Sequence, residues 1–179
     1  MRLFYLLFLW LFLLLNGYTY AGSNGSPVNE AGAFAMLKTI STLETIAFYE
    51  HNRFPATLKE LAQKDTATEK FKALVATPKQ VMDGYVFAII TQDEAGSPID
   101  SHLRFGLTAY PDRALGAGYL LLIDMSKMQF NEDTGATDTG EAIQYWKTLP
   151  NKKGEPPKQW PSLSTLVAGF EQIKLKSAN

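Results

Sequence analysis

The 179-residue chain contains no cysteine and only two histidines. Without cysteine there can be no disulfide framework and no lipid attachment through a thiol, so the fold must be stable through its packed core alone. The charges nearly cancel, with 17 lysines and arginines against 18 acidic residues. A nucleic-acid partner would need a basic surface, and this balance does not supply one. We therefore expect no nucleic acid as a partner.

The sequence also has no recognisable catalytic constellation. His51 falls at the end of a predicted helix, where the helix dipole and the free carbonyls favour a cation. His102 directly follows Ser101 in a predicted loop, and no nucleophile elbow surrounds this pair. The glycines lack the spacing of a phosphate-binding loop. The sequence thus predicts no catalytic residue and no bound cofactor.

Residues 1–21 have the pattern of a secretory signal peptide. Arg2 precedes an unbroken apolar run, Leu3–Leu15, and a small residue, Ala21, marks the expected cleavage site. The run has thirteen residues, whereas a membrane span needs about 20. We expect export, cleavage near Ala21 and a final location in the periplasm or outside the cell; an uncleaved anchor is the alternative. The absence of cysteine beside an export signal points to a bacterial envelope protein.

The whole chain, 46% hydrophobic and 12% aromatic, has the composition of an ordered globular protein, and one domain is expected after a flexible leader at residues 22–28. A helix is predicted from Asn29 to about His51, and Phe54-Pro55 ends it. Its apolar residues recur at helical spacing and form one stripe, so the helix should lie on another layer. The stripe comprises Ala33, Met36, Leu37, Ile40, Leu43 and Ile46 or Ala47.

Two short helices should follow this first one. Thr57 and Glu60 have the spacing of a capping box, which predicts a helix to about Gln63. Thr66 and Glu69 repeat the spacing before a second helix at Lys70–Ala76. These signals mark helix starts and carry no functional information.

Further along the chain, the pattern changes to that of β-strands. Strands are predicted at residues 84–91, 104–110, 119–124 and 128–130, where β-branched and aromatic residues lie between turn residues. Short connections favour an antiparallel meander, because parallel strands need long crossovers. The expected architecture is α+β, with the long helix on a sheet of three or four antiparallel strands.

The order of these segments resembles the globular domain of bacterial type IV pilin-like and pseudopilin-like proteins. The resemblance rests on the order of motifs over roughly residues 29–140, among them Leu37–Thr42, Tyr49 to Phe54-Pro55 and those given below. It implies a pilin-like fold over residues 29–146 with a structural, accessory or protein-binding role. The chain lacks the prepilin N-terminal motif, since no glycine precedes the apolar run and no acidic residue precedes Glu30. The other motifs are Asn29-Glu30-Ala31, Leu58-Lys59-Glu60-Leu61, Gly84-Tyr85-Val86-Phe87, Thr108-Ala109-Tyr110-Pro111 and Ile123-Asp124 before Glu132-Asp133-Thr134-Gly135.

An acidic loop is the candidate metal site. Oxygen ligands on a glycine-containing turn suit Ca²⁺, and the resemblance to pseudopilins, some of which bind calcium in a loop beside the sheet, raises this hypothesis. The spacing is not that of an EF-hand, and a solvated turn is the alternative. The candidate ligands are Asn131, Glu132, Asp133, Asp138 and Glu141.

Residues 147–179 form a second type of region, a linker rich in proline and lysine followed by a predicted helix at Ser162–Lys174. The apolar stripe of this helix either packs on the domain or docks a partner. The candidate partner-binding residues are Tyr145, Trp146, Leu166 and Phe170.

Two functions are compatible with these features. The first is a non-enzymatic exported envelope protein that binds a protein partner, with membrane contact only if residues 1–21 are retained. It predicts an exposed apolar patch near Tyr145-Trp146 or on the C-terminal helix. The alternative is a small periplasmic ligand-binding protein or hydrolase on the same fold, which predicts a cleft with convergent polar groups.

Overall fold

The computed structural model describes residues 29–112, 116–131, 136–138, 141–149 and 157–175. The predicted signal peptide and leader lie outside these ranges. No helix within the described ranges combines the length and the apolar character needed to cross a bilayer. The described helices are α1 (Glu30–His51), α2 (Leu58–Ala62), α3 (Glu69–Ala76) and α4 (Leu163–Gly169), and a short 3-10 turn lies at Met125–Lys127.

The main sheet has six antiparallel strands in the order β1-β2-β3-β4-β7-β8. A separate hairpin, β5–β6, is inserted between β4 and β7. The strands are β1 (Val81–Met82), β2 (Tyr85–Ile90), β3 (Arg104–Pro111), β4 (Tyr119–Asp124), β5 (Gln129–Asn131), β6 (Ala136–Asp138), β7 (Ile143–Thr148) and β8 (Phe170–Ile173). The predicted α+β class and antiparallel pairing are confirmed.

The predicted number of three or four strands is wrong. The expected fourth strand at 128–130 is instead β5, which pairs with β6 outside the main sheet. Its place beside β4 is taken by β7. Leu121 of β4 pairs with Tyr145 of β7 at the centre of this ladder. The sequence predicts no strand at Ile143–Thr148, where Tyr145-Trp146 stand out only as an aromatic pair.

The predicted C-terminal helix is also too long. α4 ends at Gly169, and Phe170–Ile173 forms the edge strand β8. Thr148 pairs with Phe170, and Tyr145 pairs with Ile173. Apolar residues spaced for a helix can become a strand when a neighbouring edge offers backbone partners, because tertiary pairing overrides weak local preference.

Side-chain caps begin the helices of the first half. The Asn29 Oδ1 atom accepts from the Gly32 N–H at 2.9 Å and opens α1. The Thr57 hydroxyl accepts from the Glu60 N–H at 3.1 Å and opens α2, as predicted. The cap of α3 is Thr68 rather than the predicted Thr66, because its hydroxyl reaches the Phe71 N–H at 3.2 Å.

Both faces of the sheet are covered, whereas the sequence predicts that one face is covered, by the long helix. All six residues of β4 are buried. On one face, α1 to α3 pack over side chains from β2, β3, β4 and β7, and α1 buries Ala33, Met36, Leu37, Ile40, Ser41, Leu43, Glu44 and Ala47. On the opposite face, a smaller cluster comprises Ile90, Leu120, Leu122, Trp146, Trp160 and Leu166.

Candidate partner-binding surface

The cluster of two tryptophans supports the C-terminal segment against the sheet. Trp146 on β7 and Trp160 are both buried in the smaller cluster. The Trp160 backbone N–H donates to the Gln92 carbonyl at 2.7 Å, which ties this segment to the chain just after β2. The Arg104 guanidinium lies 5.1 Å from the Trp160 ring centroid and pairs with Asp124 at 3.3 Å. The segment is therefore held by a backbone hydrogen bond and by the cation–π contact of Trp160 with Arg104, whose position the ion pair with Asp124 fixes.

Helix α4 rests on this cluster through one buried side chain. The Ser162 hydroxyl caps the helix by accepting from the Thr165 N–H at 3.3 Å. Leu166 points inward, whereas Leu163 is 72% exposed and Val167 is 67% exposed. Leu163 and Val167 are four residues apart, so they are neighbours on one helix face. The seven residues of α4 include no charged side chain.

These features define the α4 face, which comprises Leu163, Val167 and the polar residue Ser164 next to them. Two large apolar side chains are exposed to water on this uncharged helix. Burying each of them against a partner would be favourable by about 1.5–3 kcal/mol. Single exposed apolar residues are ordinary, but a pair on a rigidly supported helix is a surface suited to an apolar partner.

The structure separates the predicted partner-binding residues into two groups. Trp146, Leu166 and Phe170 meet in the smaller cluster beneath α4. Tyr145 points to the other face, where its hydroxyl lies 2.6 Å from the Ser41 hydroxyl. Consecutive residues of a strand face opposite sides of the sheet, so Tyr145 and Trp146 of β7 lie on different faces. Leu163 and Val167 are not among the residues predicted from the sequence, although their helical spacing places them in the same apolar stripe as Leu166.

Little of the predicted calcium site falls within the described residues. Glu132 and Asp133 lie outside them, and only the backbone of Asn131 and Asp138 is described, at the two ends of the β5–β6 hairpin. Glu141 is exposed, and its carbonyl accepts from the Gln144 side chain at 3.0 Å. Where the structure describes the chain, it contains no group of three or more potential ligands placed to hold a metal ion. The calcium hypothesis stays a prediction.

The two histidines lie at the surface near the end of α1. His51 contacts the Lys64 ammonium, and the Nδ1 atom of His102 lies 2.9 Å from the Asn52 carbonyl. Neither ring contacts a serine hydroxyl in the described structure, so the geometry offers no nucleophile–base pair at either histidine.

A polar cluster around Glu30 fastens the other end of α1 to the sheet. The Glu30 carboxylate accepts from the Ala117 N–H at 3.2 Å, the Tyr119 hydroxyl at 2.9 Å and the Lys147 ammonium at 3.1 Å. Burial raises the pKa of Glu30, but these donors, Ala117 first and Lys147 next, outweigh it and the pKa is lowered. Burial, and the bond to Glu30, raise the pKa of Tyr119. Each member has a partner, so the cluster is a structural tie.

No protein-family model, no curated protein and no solved structure matches this chain.

Proposed function

We propose that this chain is a non-enzymatic, exported envelope protein with a pilin-like domain, and that it binds a protein partner through the α4 face. The observation that carries the proposal is the exposure of Leu163 and Val167 on an uncharged helix that two buried tryptophans support. A rigid apolar surface with a polar surround is the arrangement found at the centres of protein–protein interfaces.

The chemistry of the α4 face indicates the kind of partner. With no charge on α4, steering by an acidic or basic partner is weak. The two apolar side chains are about one helical turn apart, so a partner needs one shallow apolar groove or helix face to cover both. The exposed Ser164 can bond to the partner or to water at the rim.

The pilin-like part of the proposal is supported by the layer order. A helix, α1, lies across an antiparallel sheet whose first strands follow it in the chain, and this is the arrangement that the resemblance implies. The covering of the second face by Trp160 and α4 is a feature that the resemblance does not include. Fold alone does not establish function, so the binding role depends on the α4 face.

A photo-crosslinking amino acid at position 163 tests the binding surface. The intact protein, produced in a bacterial envelope, should form a discrete protein adduct from position 163. It should form none from position 69 on α3, whose native glutamate side chain is 89% exposed. The adduct should disappear when Val167→Ser is added, with unchanged thermal unfolding. Equal adducts from both positions, or an adduct that survives Val167→Ser, would reject the α4 face as the binding surface.

Export is tested by the intact mass of the protein recovered from the envelope. A mass that begins at Gly22 in the soluble fraction agrees with cleavage after Ala21. A mass that retains Met1 in the membrane fraction would instead make residues 1–21 an anchor and would reject the soluble, secreted form of the proposal.

A further inference from the structure

Glu44 is a buried carboxyl group without a hydrogen-bond partner. Its side chain is fully buried on the inner face of α1. Neither carboxyl oxygen has a hydrogen-bond partner within the part of the chain that the structure describes. Buried polar groups without partners are rare in folded proteins, and each costs free energy that another interaction must offset.

The side chains beside Glu44 cannot satisfy it. On the buried face of α1, its neighbours one turn away include Ile40 and Ala47, which are apolar and fully buried. The hydroxyl of Ser41, also one turn away, donates to the Lys38 carbonyl at 2.9 Å and lies 2.6 Å from the Tyr145 hydroxyl. Ser41 therefore has no proton left to donate to Glu44.

No cation compensates the carboxyl either. From α2, Glu60 faces it and adds a repulsive charge, while Glu60 itself is held by Arg53 at 2.9 Å and by the Ala56 N–H at 3.0 Å. At the end of α1, Lys64 pairs with Glu50 at 3.0 Å. From the sheet, Tyr145 is the titratable group beside Ser41. Burial first, and then Glu60, raise the pKa of Glu44 to about 9.

Other titratable groups that pack against α1 lie at its opposite end. Lys147, Tyr119 and Tyr85 belong to the cluster around Glu30 or are next to it. Fourteen residues of helix separate Glu30 from Glu44, a distance of about 20 Å. Their charges therefore have little influence on Glu44, and its carboxyl group is neutral at pH 7.

The segment of residues 52–64 that follows α1 closes one side of this region. Its five-residue helix α2 would not be stable alone. Phe54, Leu58 and Leu61 are its buried anchors. At the surface it is tied by the Phe54 N–H to the Ser101 carbonyl at 2.8 Å and by the Lys64–Glu50 pair. The titratable rings of His51 and His102 also contact the segment, at Lys64 and at the Asn52 carbonyl. These surface ties are individually weak, and the segment contributes fewer buried side chains to the core than the sheet does, so we expect it to open locally before the sheet.

We propose that residues 52–64 act as a proton-linked flap, which is closed over α1 while the Glu44 carboxyl is protonated and opens when that group ionises. The closed form binds one proton more than the open form between the ordinary pKa and the raised one. The opening constant should then rise about tenfold for each pH unit across that interval. Opening would uncover the apolar C-terminal half of α1.

Amide hydrogen exchange of the intact protein tests the flap. The Leu61 and Gln63 amides, which donate within α2 and its last turn, should have protection factors below that of Leu121 in β4. Corrected for intrinsic exchange, they should fall about tenfold per unit from pH 5 to pH 8. Protection at Leu61 that does not change with pH, or that equals the protection at Leu121 throughout, would overturn the proposal.

Two variants complete this test. Glu44→Gln has nearly the same shape and cannot ionise, so the protection of Leu61 and Gln63 should become independent of pH. Glu69→Gln removes the same charge from the surface of α3, where the side chain is 89% exposed, and should leave the tenfold dependence intact. A pH dependence that persists in Glu44→Gln would assign the effect to another group and reject the role of Glu44.

Discussion

The two faces of the sheet are covered by different structures. On one face, three helices bury a continuous core that includes Phe54, Phe71, Tyr85 and Phe87, and this core also encloses the unpaired Glu44. On the other face, Leu166 of the seven-residue α4 and Trp160 cover four buried residues of the sheet, Ile90, Leu120, Leu122 and Trp146. Here α4 leaves two of its apolar side chains in solvent.

The difference separates stability from binding. The helical face removes most of its apolar surface from water, which is the main favourable contribution to folding. Helix α4 buries one large apolar side chain, Leu166, on folding and leaves Leu163 and Val167 exposed to solvent. Substitutions on the first face should therefore change the free energy of unfolding, and substitutions on the second should mainly change association.

The largest expected effect comes from a matched pair of leucine truncations. Leu121→Ala removes a fully buried side chain under α1, and Leu166→Ala removes the anchor of α4. We expect losses of about 4 and about 2 kcal/mol in the free energy of unfolding, because a tightly enclosed site relaxes less than a thinly covered one. Urea unfolding measures both. Equal losses would mean that the two faces are equally well packed.

The next effect is a gain from Glu44→Gln. The pKa of about 9 lies well above the ordinary 4.5, so the folded protein holds a proton that the unfolded chain releases. The free energy of unfolding therefore falls as the pH rises from 4.5 to 9, and at pH 7 it is roughly 3 kcal/mol lower than at pH 4. Glu44→Gln should be more stable by about that amount at pH 7 and no more stable than the parent at pH 4. If the variant and the parent differed in the free energy of unfolding by the same amount at pH 4 and at pH 7, ionisation of Glu44 would not be the cause.

A smaller loss is expected from Glu30→Gln at the opposite end of α1. The pKa of Glu30 is lowered, so its contribution is present above the ordinary pKa and is lost as the pH falls through the folded value. Since the side chain is 42% exposed, solvent screening limits the loss to about 1 kcal/mol near pH 7. Thermal unfolding from pH 7 down to pH 3 should show the difference between variant and parent shrinking. A difference that grows in acid would contradict this.

The smallest change in stability is expected from Leu163→Ser. Because Leu163 is mostly exposed, the free energy of unfolding should change by less than about 0.5 kcal/mol. The same variant should lose crosslinking from a probe placed at position 167. Urea unfolding and the crosslinking yield are measured on one preparation. A loss of stability comparable with that of Leu166→Ala would show that Leu163 supports the fold.

Much of the first half of the fold was predictable from local chemistry. The capping threonine at position 57 and the apolar spacing from Ala33 to Ala47 coincide with the start of α2 and with the buried face of α1. Both signals act within one or two turns of helix, so no distant contact is needed to read them. The third predicted strand has the bounds Tyr119–Asp124 in the structure as well.

The second half was predicted less well because its partners are distant in the chain. β7 pairs with β4 across the inserted β5–β6 hairpin, and β8 pairs with β7 across α4 and the linker before it. Neither Ile143–Thr148 nor Phe170–Ile173 has strict alternation, because apolar clusters meet these strands on both faces of the sheet. For the candidate site, the sequence predicted Leu166, and only the burial of that side chain shows that the exposed apolar residues of α4 are Leu163 and Val167.

The sequence by itself determined the α+β class, the antiparallel pairing of the central strands and the helix start at Thr57, because these depend on periodicity and on contacts between near neighbours. The tertiary structure decided the number of strands, the end of α4 at Gly169 and the separation of Tyr145 from Trp146. It also decided the unpaired burial of Glu44, whose charge state depends on what encloses it. Long-range pairing and desolvation arise from neighbours that adjacent residues cannot specify.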